Sequence, residues 1–164
     1  MKAAEKTPQE TVSESRKLVM PDQINADGRL FGGQMMAWID KIAAMTAQRH
    51  SNSEVVTASI DGLTFLAPVS LGDHVIMKAR IVYVGRTSME IRVDVWKENP
   101  IKGERAKCTQ AFLTFVAVGH EGKAVEVPRL KLSTDRERRA FERARTHIEY
   151  RKKLAAQIDE DAEP

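Results

Sequence analysis

Along this chain the spacing of apolar positions switches between the helical and the extended period, and the switches mark out its elements. Residues 15–20 read as a short strand stopped by Pro21, which cannot donate to a ladder. A polar turn from Asp22 to Gly28 leads into residues 30–49, where Met35, Met36, Ile39, Ile42, Ala43 and Met45 recur at helical spacing. Between Gly33 and Met45 only Gln34, Asp40 and Lys41 are polar, and a helix apolar on most of its circumference is a buried one. After Asn52 the period becomes two, with Val56, Ala58 and Ile60 alternating with Thr57, Ser59 and Asp61. Residues 75–84 give the next strand, and then Met89, Ile91, Val93 and Val95 alternate with Glu90, Arg92 and Asp94. Residues 107–118 are apolar at many positions of both faces, as in a central strand. Gly72-Asp73, Gly85-Arg86 and Glu98-Asn99-Pro100 supply the turns. A last helix spans residues 133–158, with Ser133 or Thr134 as its N-cap.

The order is a strand, one buried helix, four long strands and an outer helix. It predicts an α+β fold in which a curled antiparallel sheet wraps around a single apolar helix. One helix cannot cover both faces of that sheet, so sheets should also associate between chains. A length of 164 residues suits one domain. The expected organisation is a disordered tail over 1–14, the domain over 15–132, a basic helix over 133–158 and an acidic disordered tip over 159–164.

Composition removes several classes. No stretch approaches the roughly 20 apolar residues of a membrane span, and the charged N-terminus lacks the apolar run of a signal peptide, so a cytoplasmic setting is expected. Cys108 is the only cysteine, which excludes internal disulfides. The four histidines, His50, His74, His120 and His147, are scattered without metal-ligand spacing, so no metal site is expected. The net charge of +3 matters less than its placement: residues 133–158 carry eight Lys or Arg against four acids. Such a helix attracts phosphates or simply presents a solvated face laced with ion pairs, and the second is the commoner case.

Two features carry candidate chemistry. Asp40 has Met36, Ala37, Ala43 and Ala44 as its helical neighbours. An acid in that setting either finds a partner, such as Lys41, or serves as a general base. Gly32-Gly33, where the helix opens, removes Cβ bulk beside backbone N–H groups at the positive helix end, as an oxyanion requires. The alternative there is a tightly packed turn, with Asn25 and Asp27 as turn formers.

Met20-Pro21-Asp22, Asn25-Ala26-Asp27-Gly28, Leu30-Phe31-Gly32-Gly33-Gln34 and Trp38-Ile39-Asp40 together resemble the signature of hotdog-fold acyl-CoA thioester hydrolases. Val56-Thr57-Ala58-Ser59, Gly85-Arg86-Thr87-Ser88-Met89-Glu90-Ile91 and Ala111-Phe112-Leu113-Thr114-Phe115-Val116-Ala117 extend the likeness over nearly the whole chain. The resemblance implies hydrolysis of acyl-CoA to a fatty acid and free coenzyme A. It implies that Asp40 activates water or attacks the thioester itself, and that Asn25 of a neighbouring subunit positions the nucleophile. The N–H of Gly33 or its neighbour would polarise the carbonyl. Coenzyme A would lie against Thr57, Ala58 and Ser59 and against Arg86, Thr87 and Ser88, with Arg151 near its phosphates. No cofactor is implied, coenzyme A being part of the substrate. One such unit per chain implies a homo-oligomer: a dimer, built up into a trimer of dimers.

Other readings rank lower. No G-x-S-x-G elbow, Walker motif or dinucleotide glycine motif is present. Cys108 falls inside an apolar strand. Aromatic residues are too few for a base-stacking platform, so nucleic acid is not an expected partner, nor is a membrane. A non-catalytic acyl-CoA sensor of the same fold would need neither Asp40 nor Asn25. A dehydratase of this fold would use a loop histidine, and none precedes Gly32-Gly33.

Overall fold

The period-two segments pair into one sheet. In the computed structural model, which describes residues 4–160, the strands are β1 (Glu5–Lys6), β2 (Ser13–Leu18), β3 (Glu54–Phe65), β4 (His74–Val84), β5 (Ser88–Asn99), β6 (Glu104–Val118) and β7 (Arg129–Leu130). The helices are α1 (Gly32–Ser51) and α2 (Asp135–Glu160). Five strands form an antiparallel sheet in the order β2-β4-β5-β6-β3, and α1 touches every one of them. Its Met35, Trp38, Ile39, Ile42, Ala43 and Ala47 pack on the inner face against Met77, Ile81, Met89, Ile91, Val93, Leu113 and Phe115. Each such fully buried side chain contributes about 1.5–3 kcal/mol, which fixes α1 against the sheet. The α+β expectation holds.

The outer face carries the other half of each strand's alternation. Ladder partners there form rows, Tyr83–Glu90–Thr114–Ser59 and Arg80–Arg92–Phe112–Asp61. The chain covers part of this face itself. α2 crosses the rows with Phe141 on Tyr83 (ring centroids 4.8 Å apart), His147 near Phe112 (6.0 Å) and Arg151 on Asp61. Phe141, Ala144, Ile148 and Arg151 recur at helical spacing and are buried or half-buried, so one stripe of the basic helix faces the sheet, with the exposed His147 at its edge. The other seven Lys and Arg of residues 133–158 are exposed, as a solvated face requires. Thr134 is the N-cap: its hydroxyl accepts the Glu137 N–H (3.2 Å), and the Glu137 carboxylate accepts the N–H of Thr134 (2.9 Å) and of Ser133 (2.7 Å).

Two expectations need correction. Residues 4–14 are not a disordered tail. β1 pairs in parallel with β7, Thr11 and Ser13 are buried, and Lys6 donates to the carbonyl of Arg49 (2.6 Å) at the C-terminal end of α1. A cation at the negative end of a helix satisfies a carbonyl the helix leaves free. Two-residue strands carry no periodic signal, so the segment read as loop. At the other end α2 continues to Glu160, through the start of the supposed acidic tip. Residues 1–3 of the tail and 161–164 of the tip lie outside the described residues.

Candidate active site

Asp40 stands half-buried in the middle of α1, and its partner is not Lys41. Thr57 Oγ1 of β3 donates to Asp40 Oδ1 at 2.8 Å, while Lys41 is exposed. A single neutral donor orients the carboxylate and leaves Oδ2 without a protein partner among the described residues. Thr57, expected against coenzyme A, also holds the acid through its hydroxyl.

A β-bulge makes that contact. Thr57 pairs with Phe115 and Ser59 with Thr114, so Ala58 is an extra residue on β3. Strict alternation would put Thr57, Ser59 and Asp61 on one face. The bulge turns Thr57 toward α1 and Ser59 and Asp61 toward α2. Thr57, Ala58 and Ser59 are therefore not one binding strip.

Behind the bulge lies a polar cluster that joins Ser59 and Arg151, both expected against coenzyme A, to Asp61, Glu90 and Thr114. Ser59 Oγ donates to Asp61 Oδ2 (2.9 Å), and Arg151 bonds to the same oxygen. The Arg151 guanidinium is 3.7 Å from Glu90 Oε1, too far for a hydrogen bond, and Thr114 donates to Glu90 Oε2 at 2.5 Å. Glu90 is only 1 % exposed. Burial pushes its carboxyl above the ordinary value, against the opposing hydrogen bond from Thr114 and the charge of Arg151. One row further, Asp94 meets Lys107 (2.7 Å), Arg92 (2.9 Å) and Arg80 (3.2 Å). Burial raises its carboxyl, but hydrogen bonds from Arg92 and Lys107 outweigh that and hold it below the ordinary value. The alternating signs of Glu90, Arg92 and Asp94 on a strand covered on both sides were the signal available.

The loop before α1 holds Asn25. Its Oδ1 accepts the N–H groups of Asp27 and Arg29, both at 3.1 Å, so it does form the turn. Its side chain is exposed and its Nδ2 meets no acceptor among the described residues. The same residue lines a cavity of about 390 Å³ with Leu30, Gly32, Met35 and Phe65. Asp40 is not part of that lining. Among the described residues no side chain caps the start of α1, which leaves the Gly33 N–H without a partner there, as helix geometry dictates. The Phe31 ring lies over Gly33, within 2.5 Å of where a Cβ would stand, so a larger residue there would have to displace it.

Arg86, Thr87 and Ser88 form the tight β4–β5 turn. Gly85 N–H bonds to the Ser88 carbonyl (2.8 Å), and a Cβ on Gly85 would come 2.8 Å from Ser88 Oγ. Arg86 is 81 % exposed, with Glu126 3.7 Å away. Ser88 pairs with Val116 and Val116 with Val56, so this turn lies two strands, about 10 Å, from the β3 segment beside Asp40. Arg151 has a different setting, its charge already met by Asp61 and Glu90.

Remaining candidates are structural. His50 is fully buried, its Nε2 2.7 Å from the Pro128 carbonyl, and burial keeps it neutral. Burial likewise raises the Cys108 thiol. Among the described residues no three side chains are grouped to hold a metal, and no helix is long and apolar enough to cross a membrane.

Known proteins resemble this chain in sequence and in fold. Residues 27–104 match the thioesterase superfamily. YkhA of Bacillus subtilis, named as an uncharacterized acyl-CoA thioester hydrolase, is 44 % identical over 119 residues, 73 % of this chain and 69 % of that protein. A solved apo-hexameric acyl-CoA thioesterase superposes with a TM-score of 0.90 at 41 % identity, covering 93 % of this chain and 98 % of the other. The acyl-CoA hydrolase of Staphylococcus aureus, solved with butyryl coenzyme A and coenzyme A, gives a TM-score of 0.88 at 33 % identity over 96 % of both chains. Structures of that enzyme include variants with an aspartate, an asparagine or a threonine replaced by alanine.

Proposed function

The chain belongs to the acyl-CoA thioester hydrolases of the thioesterase superfamily, and from that premise we propose that it cleaves acyl-CoA at Asp40. The observation that carries this reading is the Thr57–Asp40 hydrogen bond of 2.8 Å across the β3–α1 contact. The asparagine, aspartate and threonine replaced in the Staphylococcus enzyme follow one another at the same spacing as Asn25, Asp40 and Thr57 do here. The Asp40 carboxylate takes a proton from water as the water attacks the thioester carbonyl, or attacks the carbonyl itself to form a mixed anhydride that water then hydrolyses. In both routes the C–S bond breaks, the thiolate of coenzyme A takes up a proton, and the acyl group leaves as a carboxylate. The free N–H of Gly33 stabilises the oxyanion at the N-terminal end of α1. Arg86, Thr87 and Ser88 hold the coenzyme A portion, where an exposed guanidinium and two hydroxyls suit phosphate.

Asn25 serves the Asp40 of another subunit. Asn25 lines a cavity that Asp40 does not, which supports a site shared between chains. β3 pairs with β6 alone and leaves its second edge open, while Val56 and Ile60 on it and Met36 and Met45 on α1 are exposed. Covering this edge and these side chains with a second copy gives a dimer, and three dimers close into a hexamer. The Asp40→Asn variant tests the assignment by thiol release from short, medium and long acyl-CoAs. Turnover should fall at least a hundredfold with the circular dichroism unchanged. Wild-type turnover would remove Asp40 from the reaction.

A further inference from the structure

We propose that Arg151 of α2 is a positioning residue: with Ser59, Asp61, Glu90 and Thr114 it closes a polar ring around the Ala58 bulge and so holds Thr57 toward Asp40. The inference rests on Asp40 being the reacting acid.

The reasoning begins with β3, an edge strand whose ladder to β6 is its only pairing in the sheet. An edge strand with an extra residue has a competing arrangement nearby. If the bulge relaxes, alternation is restored and Thr57 leaves the α1 face. A second irregularity follows between Asp61 and Thr64, where Gly62 has φ +56°. Asp61 thus lies between two places where β3 can shift against β6.

The ring anchors β3 on the outer face just C-terminal to the bulge. Ser59 donates to Asp61, Asp61 binds Arg151, Arg151 faces Glu90, Glu90 accepts from Thr114, and Thr114 is the ladder partner of Ser59. Three links cross between elements, from β3 to α2, from α2 to β5 and from β5 to β6, and if Ser59 turns inward its bond to Asp61 and its place opposite Thr114 are both lost. The Arg151 and Asp61 side chains are 24 % and 23 % exposed, which limits screening by salt. Of the basic residues of α2, Arg151 alone meets two carboxylates of the sheet. A phosphate brought to that guanidinium would also approach Asp61 and Glu90, which opposes a direct hold on coenzyme A. His147, the other titratable group of α2 near Glu90, lies beside Phe112 and leaves the ring closed.

The test uses the full-length assembled enzyme and thiol release at saturating and limiting acyl-CoA. Arg151→Met keeps the aliphatic stem and opens the ring; kcat should fall roughly ten- to a hundredfold, as expected for losing one hydrogen bond to a charged group, with KM within about twofold. Arg151→Lys should recover part of the loss. Thr57→Val should lower kcat on a similar scale, and the double variant should be no slower than Thr57→Val alone, because both changes break one path. Losses that multiply would show that Arg151 does not act through Thr57. A raised KM with unchanged kcat would make it a substrate ligand. If Arg151→Met fails to assemble, Ser59→Ala and Asp61→Asn decide by the same coupling with Thr57→Val. Asp40→Asn is measured alongside. An inactive Asp40→Asn beside a fully active Arg151→Met sinks the ring alone, whereas an active Asp40→Asn sinks the ring and the proposed site together.

Discussion

Replacing Asp94 with Asn removes the one acid that three cations share. Its side chain is 4 % exposed and within 3.2 Å of Arg80, Arg92 and Lys107, which are themselves 26 %, 28 % and 32 % exposed. Breaking a buried ion pair from one side typically loses about 3–5 kcal/mol, because the partner charge is left without compensation. The three cations keep some contact with water, which reduces the loss to about 2–3 kcal/mol. For a chain of this size that lowers the melting temperature by roughly 4–12 °C. Thermal unfolding at one protein concentration measures it, with the oligomer size checked in both proteins. The pH dependence has a definite sign. The Asp94 carboxyl sits below its ordinary value in the fold, so the stability it contributes is present above the unfolded value of 3.8 and is lost as pH falls through the folded one. The gap between wild type and Asp94→Asn should therefore narrow in acid. A loss under about 0.5 kcal/mol at neutral pH, or a gap constant down to pH 2, would refute the shared-charge account.

Three other outcomes follow from the same geometry. Arg86→Ala should raise KM for acyl-CoA roughly three- to tenfold with little change in kcat, since an exposed phosphate contact contributes uniform binding; an unchanged KM would place the phosphates elsewhere. Glu90→Gln should leave the protein at least as stable as wild type at neutral pH, by urea titration. Burial raises the Glu90 carboxyl, so its contribution is full below the unfolded value of 4.5 and is lost as pH rises through the folded value, and the advantage of Gln should vanish in acid. Mixing inactive Asn25→Ala and Asp40→Asn proteins under conditions of subunit exchange should restore up to about a quarter to a half of the wild-type turnover, and no recovery despite exchange would refute a shared site.

Much of this architecture was legible because burial imposes its period on the sequence. The apolar circumference of residues 33–45 marked α1, and the alternation through Met89–Val95 marked the inner face of β5. Legibility failed where geometry departs from period. Val56, Ala58 and Ile60 read as one face, yet the bulge at Ala58 separates them, and no residue type there signals an inserted position. The contact of Thr57 with Asp40 was hidden for that reason. The burial of Glu90 and Asp94 was not legible, because alternation distinguishes the two faces of a strand without showing whether a distant helix covers the second. Arg151 stood among eight similar cations, and only the fold selects the one turned inward.

On the reading proposed above, the choice of charge rather than packing behind β3 has a physical rationale. β3 must pair with β6, aim Thr57 at α1, and leave its other edge free for a second copy. An apolar patch under α2 would stabilise the contact at least as well, since buried ion pairs seldom exceed hydrophobic isosteres in net stability. Apolar contacts, however, tolerate a slip of one residue at little loss. A guanidinium facing Asp61 and Glu90 does not, because a slipped strand carries Asp61 away from its half-buried cation. The ring thus penalises the wrong register more than it rewards the right one. That is what a site needs when its acid is held by one hydroxyl from an edge strand.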